Sequence, residues 1–423
     1  MKERISMSVF IGSIPNNRKS DVLLAKEIIT GKIDSFGSRD TLNNKFQDIW
    51  TDKEIFLFNR GRDSMHFLLE NIGLREGDEI IIQGFTCVAV LSPILWNKCK
   101  PVFVDIDRNT FNMDLNRLKE SITERTRVIV IQHTFGNLAD IKLVKEIVDK
   151  INCSRASNNR LIILEDCAHT FNLGDKRIGQ YSDAFFFSFA QDKSISSTQG
   201  SLLVVNSKFF TKNLSNQYKL VNEQPVEEAM YNARYIELWE KIKNLYFTLE
   251  IPFLRFSVGK ALLLLYRFLG FIRKQASSGT VNFTGIQKLS DIQAKLLLKQ
   301  LESVKELNKH RESIKRVYDS KLNRSLKNNL ASSILLRYPL LVKNPEEVIK
   351  ELRHIKVIAG RWYSTPVFPI SWNNLESVGY RIGTLPETEF VCRHILNLPL
   401  NVEMDEECAE NVVEILNKVA IPL

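Results

Sequence analysis

The sequence of 423 residues predicts an α/β fold, with a mostly parallel sheet in a large domain and a smaller α+β domain after it. Hydrophobic residues make up 44% of the chain, which is enough for a large buried core. Short, continuous apolar runs recur between about residues 55 and 205, and helical patterns separate them. Continuous runs are typical of strands that helices cover on both faces of a parallel sheet.

The predicted strands follow one another at 54–58, 79–83, 101–106, 127–132, 160–166, 184–189 and 201–205. A helix is predicted after the first strand because Met65, Leu68, Leu69 and Ile72 share one helical face. Gly73 is expected to end this helix.

Three regions are predicted: a large domain over 1–209, a helical insertion rich in basic and aromatic residues over 210–284, and a small domain over 285–423. A Ser290–Gln293 capping box predicts the helix that begins the small domain. A strand at 337–342 and a helix at 405–419 are expected to follow.

Charge and cysteine usage limit the function classes. The chain has 58 basic and 49 acidic residues, a net charge of +9 that favours anionic partners without selecting one. Its six cysteines show neither disulfide nor zinc spacing, so no metal is expected. The N-terminus lacks the apolar core of a signal peptide, which favours a cytoplasmic location. No nucleic-acid module accompanies the charge, so nucleic acid is not expected as a partner.

Residues 245–274 interleave apolar and aromatic side chains with basic ones, and Glu250 is the one acid among them. Such a stretch is typical of helices that lie on a membrane surface, so peripheral membrane contact is one hypothesis. The alternative is that the segment packs on its own domain or on a partner subunit, as faces of oligomeric α/β enzymes commonly do. Charged residues interrupt the segment too often for a membrane span.

Polar residues follow two of the predicted strands. Asp166 and His169 come after one strand, and Ser188 and Lys193 end or follow the next. In open α/β sheets, ligands bind beyond the carboxyl ends of the strands. Asp166 alone also fits a turn or a helix cap, and His169 also fits a hydrogen-bonded core residue. Glu165 is expected to point the other way and to have a structural role.

A glycine at the start of a predicted helix, Gly61, adds an anion site, because free N–H groups and the helix dipole favour a phosphate there. An anion-binding helix start, a carboxylate and a lysine are what pyridoxal phosphate requires. The lysine forms the covalent link, the carboxylate keeps the pyridine nitrogen protonated, and the helix holds the phosphate.

The motif order GDEIIIQGFTCVAV, KPVFVDIDRNTFNMD, ITERTRVIVIQHTFGNLAD, IILEDCAHTF and FFFSFAQDK resembles the DegT/DnrJ/StrS-type sugar aminotransferases. These are fold-type I enzymes that use pyridoxal phosphate. The segments LSDIQAKLLLKQLE and LNLPLNVEMDEECAENVVEIL are similar to the family's C-terminal part.

The resemblance implies that Lys193 is the cofactor-linking lysine and that Asp166 is the partner of the pyridine nitrogen. It places His169 near the phenolic oxygen of the cofactor and Ser188 at the phosphate. The candidate catalytic residues are therefore Lys193, Asp166 and His169. The candidate cofactor-binding residues are Gly61, Arg62, Asp63, Phe85, Cys87, Asp166, His169, Ser188 and Lys193.

Departures from the family pattern concern how the site is completed. Cys87 replaces an aromatic residue that stacks on the cofactor, so Phe85 is a candidate to cover the ring instead; Cys87 itself also fits a small buried apolar residue. Asp63 is an acid beside a proposed phosphate site, and it is expected to be a helix cap with its side chain turned away. Residues 198–201 lack the family's run of glycines, and residues 286–288 differ from a segment that contacts the neighbouring subunit's phosphate.

The function that the resemblance implies is amino transfer, usually from glutamate, to a nucleotide-linked keto sugar for surface polysaccharide or secondary-metabolite biosynthesis, by a homodimer. One alternative is a pyridoxal-phosphate sugar dehydratase, although a histidine replaces the lysine in such enzymes. Another is a non-catalytic family member that is a membrane-associated partner in polysaccharide assembly.

Overall fold

The computed structural model describes residues 8–12, 16–206, 213–249, 257–272, 282–328, 330 and 334–423. Its strands are β1 (Val9–Phe10), β2 (Glu54–Phe58), β3 (Glu79–Gln83), β4 (Thr86–Cys87), β5 (Lys100–Val104), β6 (Thr126–Gln132), β7 (Ile162–Asp166), β8 (Ala184–Ser188), β9 (Ser201–Val205), β10 (Arg337–Leu341), β11 (Val357–Ile358), β12 (Val367–Phe368) and β13 (Ile395–Pro399).

The helices of the described residues are α1 (Lys19–Ile29), α2 (Ser38–Gln47), α3 (Gly61–Asn71), α4 (Val88–Trp96), α5 (Leu115–Ser121), α6 (Ile141–Asn152), α7 (Leu214–Lys219), α8 (Val226–Leu245), α9 (Val258–Phe268), α10 (Asp291–Lys321), α11 (Pro345–His354), α12 (Pro386–His394) and α13 (Glu406–Val419).

A seven-stranded sheet forms the centre of the fold, in the order β2-β9-β8-β7-β6-β3-β5. Only β9 runs antiparallel to its neighbours in this sheet. The predicted fold class, α/β with a mostly parallel sheet, is confirmed. Each predicted strand of the sheet is present, with ends that differ by at most two residues.

The sheet is apolar on both faces, which explains its continuous apolar runs. Phe186 and Leu203 pack on one face, and Phe185 and Leu202 pack on the other. Because β7 and β8 are parallel neighbours, the residues that follow them emerge at the same edge of the sheet. This edge is where Asp166 and Lys193 lie.

Helix α10 connects the sheet to the C-terminal part of the chain. Its first half packs against the sheet through Leu297 and Leu301, and its second half packs on the C-terminal core through Ile314 and Tyr318. In that core, β10 and β13 pair antiparallel, and α11 and α13 cover them. The strand and the helix predicted near 337–342 and 405–419 are therefore confirmed.

Local signals at helix ends are confirmed in part. Helix α3 ends one residue before Ile72, and Gly73 adopts the left-handed φ of +75° that favours glycine. At the start of α10, Ser290 Oγ accepts the Gln293 N–H at 3.3 Å. The Gln293 amide donates to the Ala229 carbonyl at 3.0 Å, so the predicted capping box forms only its first half.

The chain between β9 and α10 contains α7, α8 and α9 among its described residues. Helices α8 and α9 pack with α1 around a core that includes Ala229, Ile236 and Ile28. Parts of the segment 245–274, namely 250–256 and 273–274, lie outside the described residues. In the described part of the chain, no helix combines the length and apolar character that a membrane crossing requires.

Candidate active site

The carboxyl edge of the sheet brings Asp166 and Lys193 into one buried region. Asp166 is the last residue of β7 and is 3% exposed. Its carboxylate accepts the Ala168 N–H at 2.9 Å. Burial raises the pKa of Asp166, while the Ala168 bond and the positive charge of Lys193 partly oppose that rise. The two groups predicted from the strand ends therefore lie within electrostatic reach of each other.

Lys193 lies on the tight loop between β8 and β9, and its side chain is only 16% exposed. Two hydrogen bonds fix its backbone: its N–H donates to Ala190 at 3.2 Å, and its carbonyl accepts from Asn16 at 2.8 Å. Its Nζ lies 3.8 Å from Asp192 Oδ1. A lysine with this enclosure is held in place rather than free in solvent.

Asp192 and Arg337 form an ion pair beside this lysine that the sequence analysis missed. Arg337 Nη2 donates to Asp192 Oδ2 at 2.7 Å, and its guanidinium lies 3.8 Å from the ring centre of Trp362. Burial alone would raise the pKa of Asp192, but the charges of Lys193 and Arg337 hold that pKa well below its ordinary value. The signal in the sequence was the acid Asp192 next to the lysine, because a partly buried carboxylate needs a cation as its partner.

His169 is buried and has hydrogen bonds at both ring nitrogens. Its Nδ1 accepts the Phe135 N–H at 3.2 Å, and its Nε2 lies 3.1 Å from the Tyr363 hydroxyl. Burial and the charges of Lys193 and Arg337 hold the pKa of His169 well below its ordinary value. The imidazole is therefore neutral at pH 7, and with Nδ1 as an acceptor its proton lies on Nε2. Tyr363, which the sequence analysis also missed, accepts that proton's hydrogen bond.

The start of α3 faces the end of β8, as the predicted anion site requires. A Cβ built on Gly61 would lie 3.5 Å from Ser188 Cβ and 3.6 Å from its Oγ, so the helix start and this serine are adjacent. The amides of Gly61 and Arg62 belong to the first helical turn, which has no intrahelical acceptors for them. The Arg62 side chain is half-buried nearby, and burial lowers its pKa.

Asp63 is fully buried in the first turn of α3, where both of its carboxylate oxygens accept from Arg60 Nε at 3.1 Å. Arg60 is the N-cap residue, so the expectation that Asp63 caps the helix is wrong. Burial raises the pKa of Asp63 to about 6. The carboxylate is held by Arg60, which also donates to the Gly285 carbonyl at 2.9 Å.

Phe85 and Cys87 lie at different depths. Phe85 is fully enclosed among aromatic rings, with Tyr363 at 5.2 Å and Phe135 at 5.9 Å between centroids. Cys87 is half-buried at the start of α4, and burial raises the pKa of its thiol, which Lys193 and Arg62 partly oppose. The Cys87 thiol therefore lies within electrostatic reach of both Lys193 and Arg62, whereas Phe85 packs against Tyr363.

Glu165 points away from the site, as expected. Its carboxylate accepts from His133 Nε2 at 2.9 Å, the Gly179 N–H at 2.9 Å and Ser182 Oγ at 2.5 Å. The Cys167 Sγ, a ring nitrogen of His133 and a carboxylate oxygen of Glu165 lie within 4.8 Å of one another. Because three donors already occupy the Glu165 carboxylate, this buried group has a structural role between β7 and its neighbours.

The residues at this edge fit pyridoxal phosphate. An enclosed amine and a buried carboxylate lie near each other, and the glycine helix start lies next to a serine hydroxyl and the Arg62 cation. These are the donor types for an aldehyde, a pyridine nitrogen and a phosphate.

Replacing Arg337 by methionine is expected to lower the free energy of unfolding by about 2–3 kcal/mol, because the charge of Asp192 then loses its buried partner. Urea denaturation of the purified chain measures the loss. The matched control is Arg117→Met, which breaks the exposed pair with Glu120 and is expected to leave the free energy of unfolding almost unchanged.

The double variant Arg337→Met/Asp192→Asn should recover part of the loss, because it removes the isolated charge as well. If the two single changes simply add, Arg337 and Asp192 are not coupled and the ion pair does not hold the lysine loop.

Three comparisons place the chain among known proteins. The sequence model of the DegT/DnrJ/EryC1/StrS aminotransferase family matches residues 17–231 and 260–417. An uncharacterized protein of Methanocaldococcus jannaschii is 23% identical over 401 residues, 89% of each chain. GDP-perosamine synthase of Escherichia coli O157:H7 is 28% identical over 43% of this chain and 50% of that enzyme.

Among solved structures, a Streptococcus pneumoniae protein described as a sugar aminotransferase, in its PLP form, is 20% identical. It aligns with a TM-score of 0.67 over 99% of this chain and 98% of that chain, which shows the shared fold. The family match covers most of the chain, and the buried lysine and carboxylate lie at the carboxyl edge of the sheet. The chain therefore belongs to the DegT/DnrJ/EryC1/StrS aminotransferase family and is a pyridoxal-phosphate-dependent sugar aminotransferase.

Proposed function

We propose that the enzyme transfers an amino group from glutamate to a nucleotide-linked keto sugar, and that Lys193, Asp166 and His169 form its catalytic centre. The observation that carries this proposal is the enclosed amine of Lys193 within electrostatic reach of Asp166 and His169. When bound, pyridoxal phosphate supplies the electron sink that the reaction needs.

Lys193 is proposed to hold the cofactor and then to move the proton between the donor Cα and the cofactor. Its loop is fixed at both sides by backbone hydrogen bonds, so the amine returns to the same position once it is released. With 16% of the side chain exposed, few water molecules compete for the proton. An amine in this setting is able to act as general base and then as general acid.

Asp166 is proposed to pair with the pyridine nitrogen. Burial makes its negative charge costly, which is why its pKa is raised. A buried carboxylate gains more from a neighbouring cation than an exposed one does, because the surroundings screen the attraction less. Asp166 therefore favours the protonated, electron-withdrawing form of the ring.

His169 is proposed to act on the site through Tyr363. Its low pKa keeps it neutral, and both ring nitrogens already have partners. The Nε2–H bond orients the Tyr363 hydroxyl and leaves that hydroxyl's own proton available to an oxygen acceptor. The Phe85 ring packs against the Tyr363 ring. The Asp63 carboxylate accepts a hydrogen bond from Arg60 and so stabilises the start of α3.

The phosphate is proposed to bind at the start of α3, with the Gly61 and Arg62 amides, the Ser188 hydroxyl and the Arg62 charge as donors. Arg62 also supplies a positive charge beside the helix start, which suits a phosphate. The name of one relative, GDP-perosamine synthase, agrees with a nucleotide-linked substrate. We also propose a homodimer, as the sequence resemblance implies.

Incubation of the enzyme with glutamate and a panel of nucleotide-linked 3-keto and 4-keto sugars tests the proposal, with product masses as the readout. We expect one keto sugar to give the mass of the corresponding amino sugar, and 2-oxoglutarate to form in equal amount. Glutamine is tested in parallel as the alternative donor.

Loss of water from the sugar without amine gain would favour a dehydratase instead. No conversion of any sugar, with no release of 2-oxoglutarate, would favour the non-catalytic alternative and overturn the proposal.

A further inference from the structure

Helix α9 is apolar on both of its faces. Gly259, Leu262, Leu263 and Tyr266 face α8 and the core around it. A Cβ on Gly259 would lie 2.4 Å from Tyr246 Cα, so the two helices are in close contact there. This packing explains why the inner face of α9 is apolar, but it does not explain the apolar outer face.

The outer face presents large hydrophobic side chains to solvent: Leu264 is 57% exposed, Leu265 50% and Phe268 88%. A surface helix of a globular protein usually has polar residues on this face, and a helix that is apolar all round usually has a second apolar environment. The outer face of α9 therefore lacks the polar side chains that contact with water alone would favour.

Further hydrophobic residues extend the outer face at both ends of the helix. The Val258 N–H bonds to the Thr248 carbonyl at 3.1 Å, which places the turn with the 80% exposed Leu249 beside the start of α9. At the other end, Leu269 is 50% exposed and Phe271 is 48% exposed. The α9 surface consists of Leu249, Leu264, Leu265, Phe268, Leu269 and Phe271.

The charge of this region is mostly positive. After Glu250, the sequence contains no aspartate or glutamate between residues 251 and 290, whereas lysine and arginine recur through it. On α9 itself, Lys260 and the exposed Arg267 flank the outer hydrophobic side chains. On α8, which packs against α9, Glu237 is paired with Lys241 at 2.7 Å.

We propose that the α9 surface binds an anionic lipid bilayer, with its hydrophobic side chains between the headgroups and its basic residues at the lipid phosphates. A bilayer supplies both an apolar layer and negative charge, and each of the two matches one property of the surface. A second copy of the chain fits less well, since a two-fold contact would bring the basic residues of both copies together.

The α9 surface contains none of the residues proposed for catalysis or for cofactor binding. Of its six residues, Leu249 lies in the stretch 232–259 that the family model leaves unmatched, and the other five lie in the matched part. The lipid proposal does not depend on the proposed sugar or amino donor, and its test needs no turnover.

Co-sedimentation of the full chain with vesicles tests the proposal. One set contains phosphatidylcholine alone, and the other contains equal parts of phosphatidylcholine and phosphatidylglycerol. We expect binding to the anionic set, weakened about fivefold by Arg267→Ala. Leu264→Ser/Phe268→Ser should reduce binding by about tenfold or more, because two exposed hydrophobic side chains no longer insert.

The matched control is Phe36→Ser, because Phe36 is 89% exposed but has the acid Asp34 beside it and is not one of the six residues of the α9 surface. It should bind vesicles as the unchanged chain does. Circular dichroism and light scattering check that each variant is folded and has the same mass in solution. Equal binding by Leu264→Ser/Phe268→Ser, or no binding by the unchanged chain, overturns the proposal. A fall in mass in that variant points to a contact between copies and also overturns it.

Discussion

Replacing Lys193 by alanine or by arginine is expected to abolish the covalent link to the cofactor and to lower the transfer rate by at least about a thousandfold. The two variants separate the loss of the amine nucleophile from the loss of the positive charge. Arginine keeps the positive charge that Asp192 and Asp166 have beside them, whereas alanine removes it. If Lys193 acts through its amine, both variants lose the link, and only the alanine variant also changes the electrostatics of the site.

The link is measured without turnover. The enzyme is incubated with pyridoxal phosphate, treated with borohydride to make the link permanent, and weighed by intact mass spectrometry. The unchanged chain should retain one cofactor, and neither Lys193 variant should. The control is Lys176→Ala, an exposed lysine on the loop between β7 and β8. A cofactor retained by Lys193→Arg would mean that another amine forms the link and would remove Lys193 from its proposed role.

The central sheet could be predicted from the sequence because its strands are buried on both faces. The runs at 54–58, 79–83 and 201–205 form strands with the predicted ends, since two-sided burial leaves a continuous apolar run. Parallel neighbours end at one edge, so Asp166 and Lys193 were predicted to approach each other from their strand positions alone. The apolar run of a buried strand is a local property, and the sequence displays it directly.

The groups that complete the site come from elsewhere in the chain. Arg337 and Tyr363 belong to the C-terminal part, where no periodicity shows that they fold back onto the lysine loop. Their positions depend on how that part packs against the sheet. Asp192 was adjacent to the lysine in sequence, but its partner lay too far along the chain for a local pattern to identify.

The prediction made from residue type alone was also wrong at the start of α3. Asp63 suits a helix cap by residue type, yet Arg60 is the cap residue and binds the Asp63 carboxylate from three positions away. Phe85, the aromatic residue nearest to Cys87 in sequence, lies on the bend between β3 and β4 and is fully buried, with its ring centre 5.2 Å from that of Tyr363. Its contact with the cofactor ring stays a prediction.

Replacing Asp166 by asparagine is expected to leave the covalent link intact and to lower the transfer rate by about a hundredfold to a few thousandfold. Asparagine is nearly the same size but carries no charge, so it no longer favours the protonated pyridine nitrogen. The control is Glu165→Gln, the adjacent residue on the opposite face of the sheet. That change should lower stability while the rate per folded enzyme stays close to normal.

The same substitution has a predicted pH dependence in the cofactor-free chain. Burial raises the pKa of Asp166 above 3.8, so the folded chain keeps this proton at pH values where the unfolded chain has lost it. Its contribution to the free energy of unfolding is therefore present below pH 3.8 and is lost as the pH rises through the raised pKa.

Asp166→Asn removes this titration, so the variant should gain stability relative to the unchanged chain as the pH rises, as measured by urea denaturation. Bound cofactor should cancel the difference, because its cation favours the ionised carboxylate. Parallel stability curves for the two cofactor-free proteins would mean that Asp166 does not titrate as a buried carboxylate, and its pairing with the pyridine nitrogen would lose its physical basis.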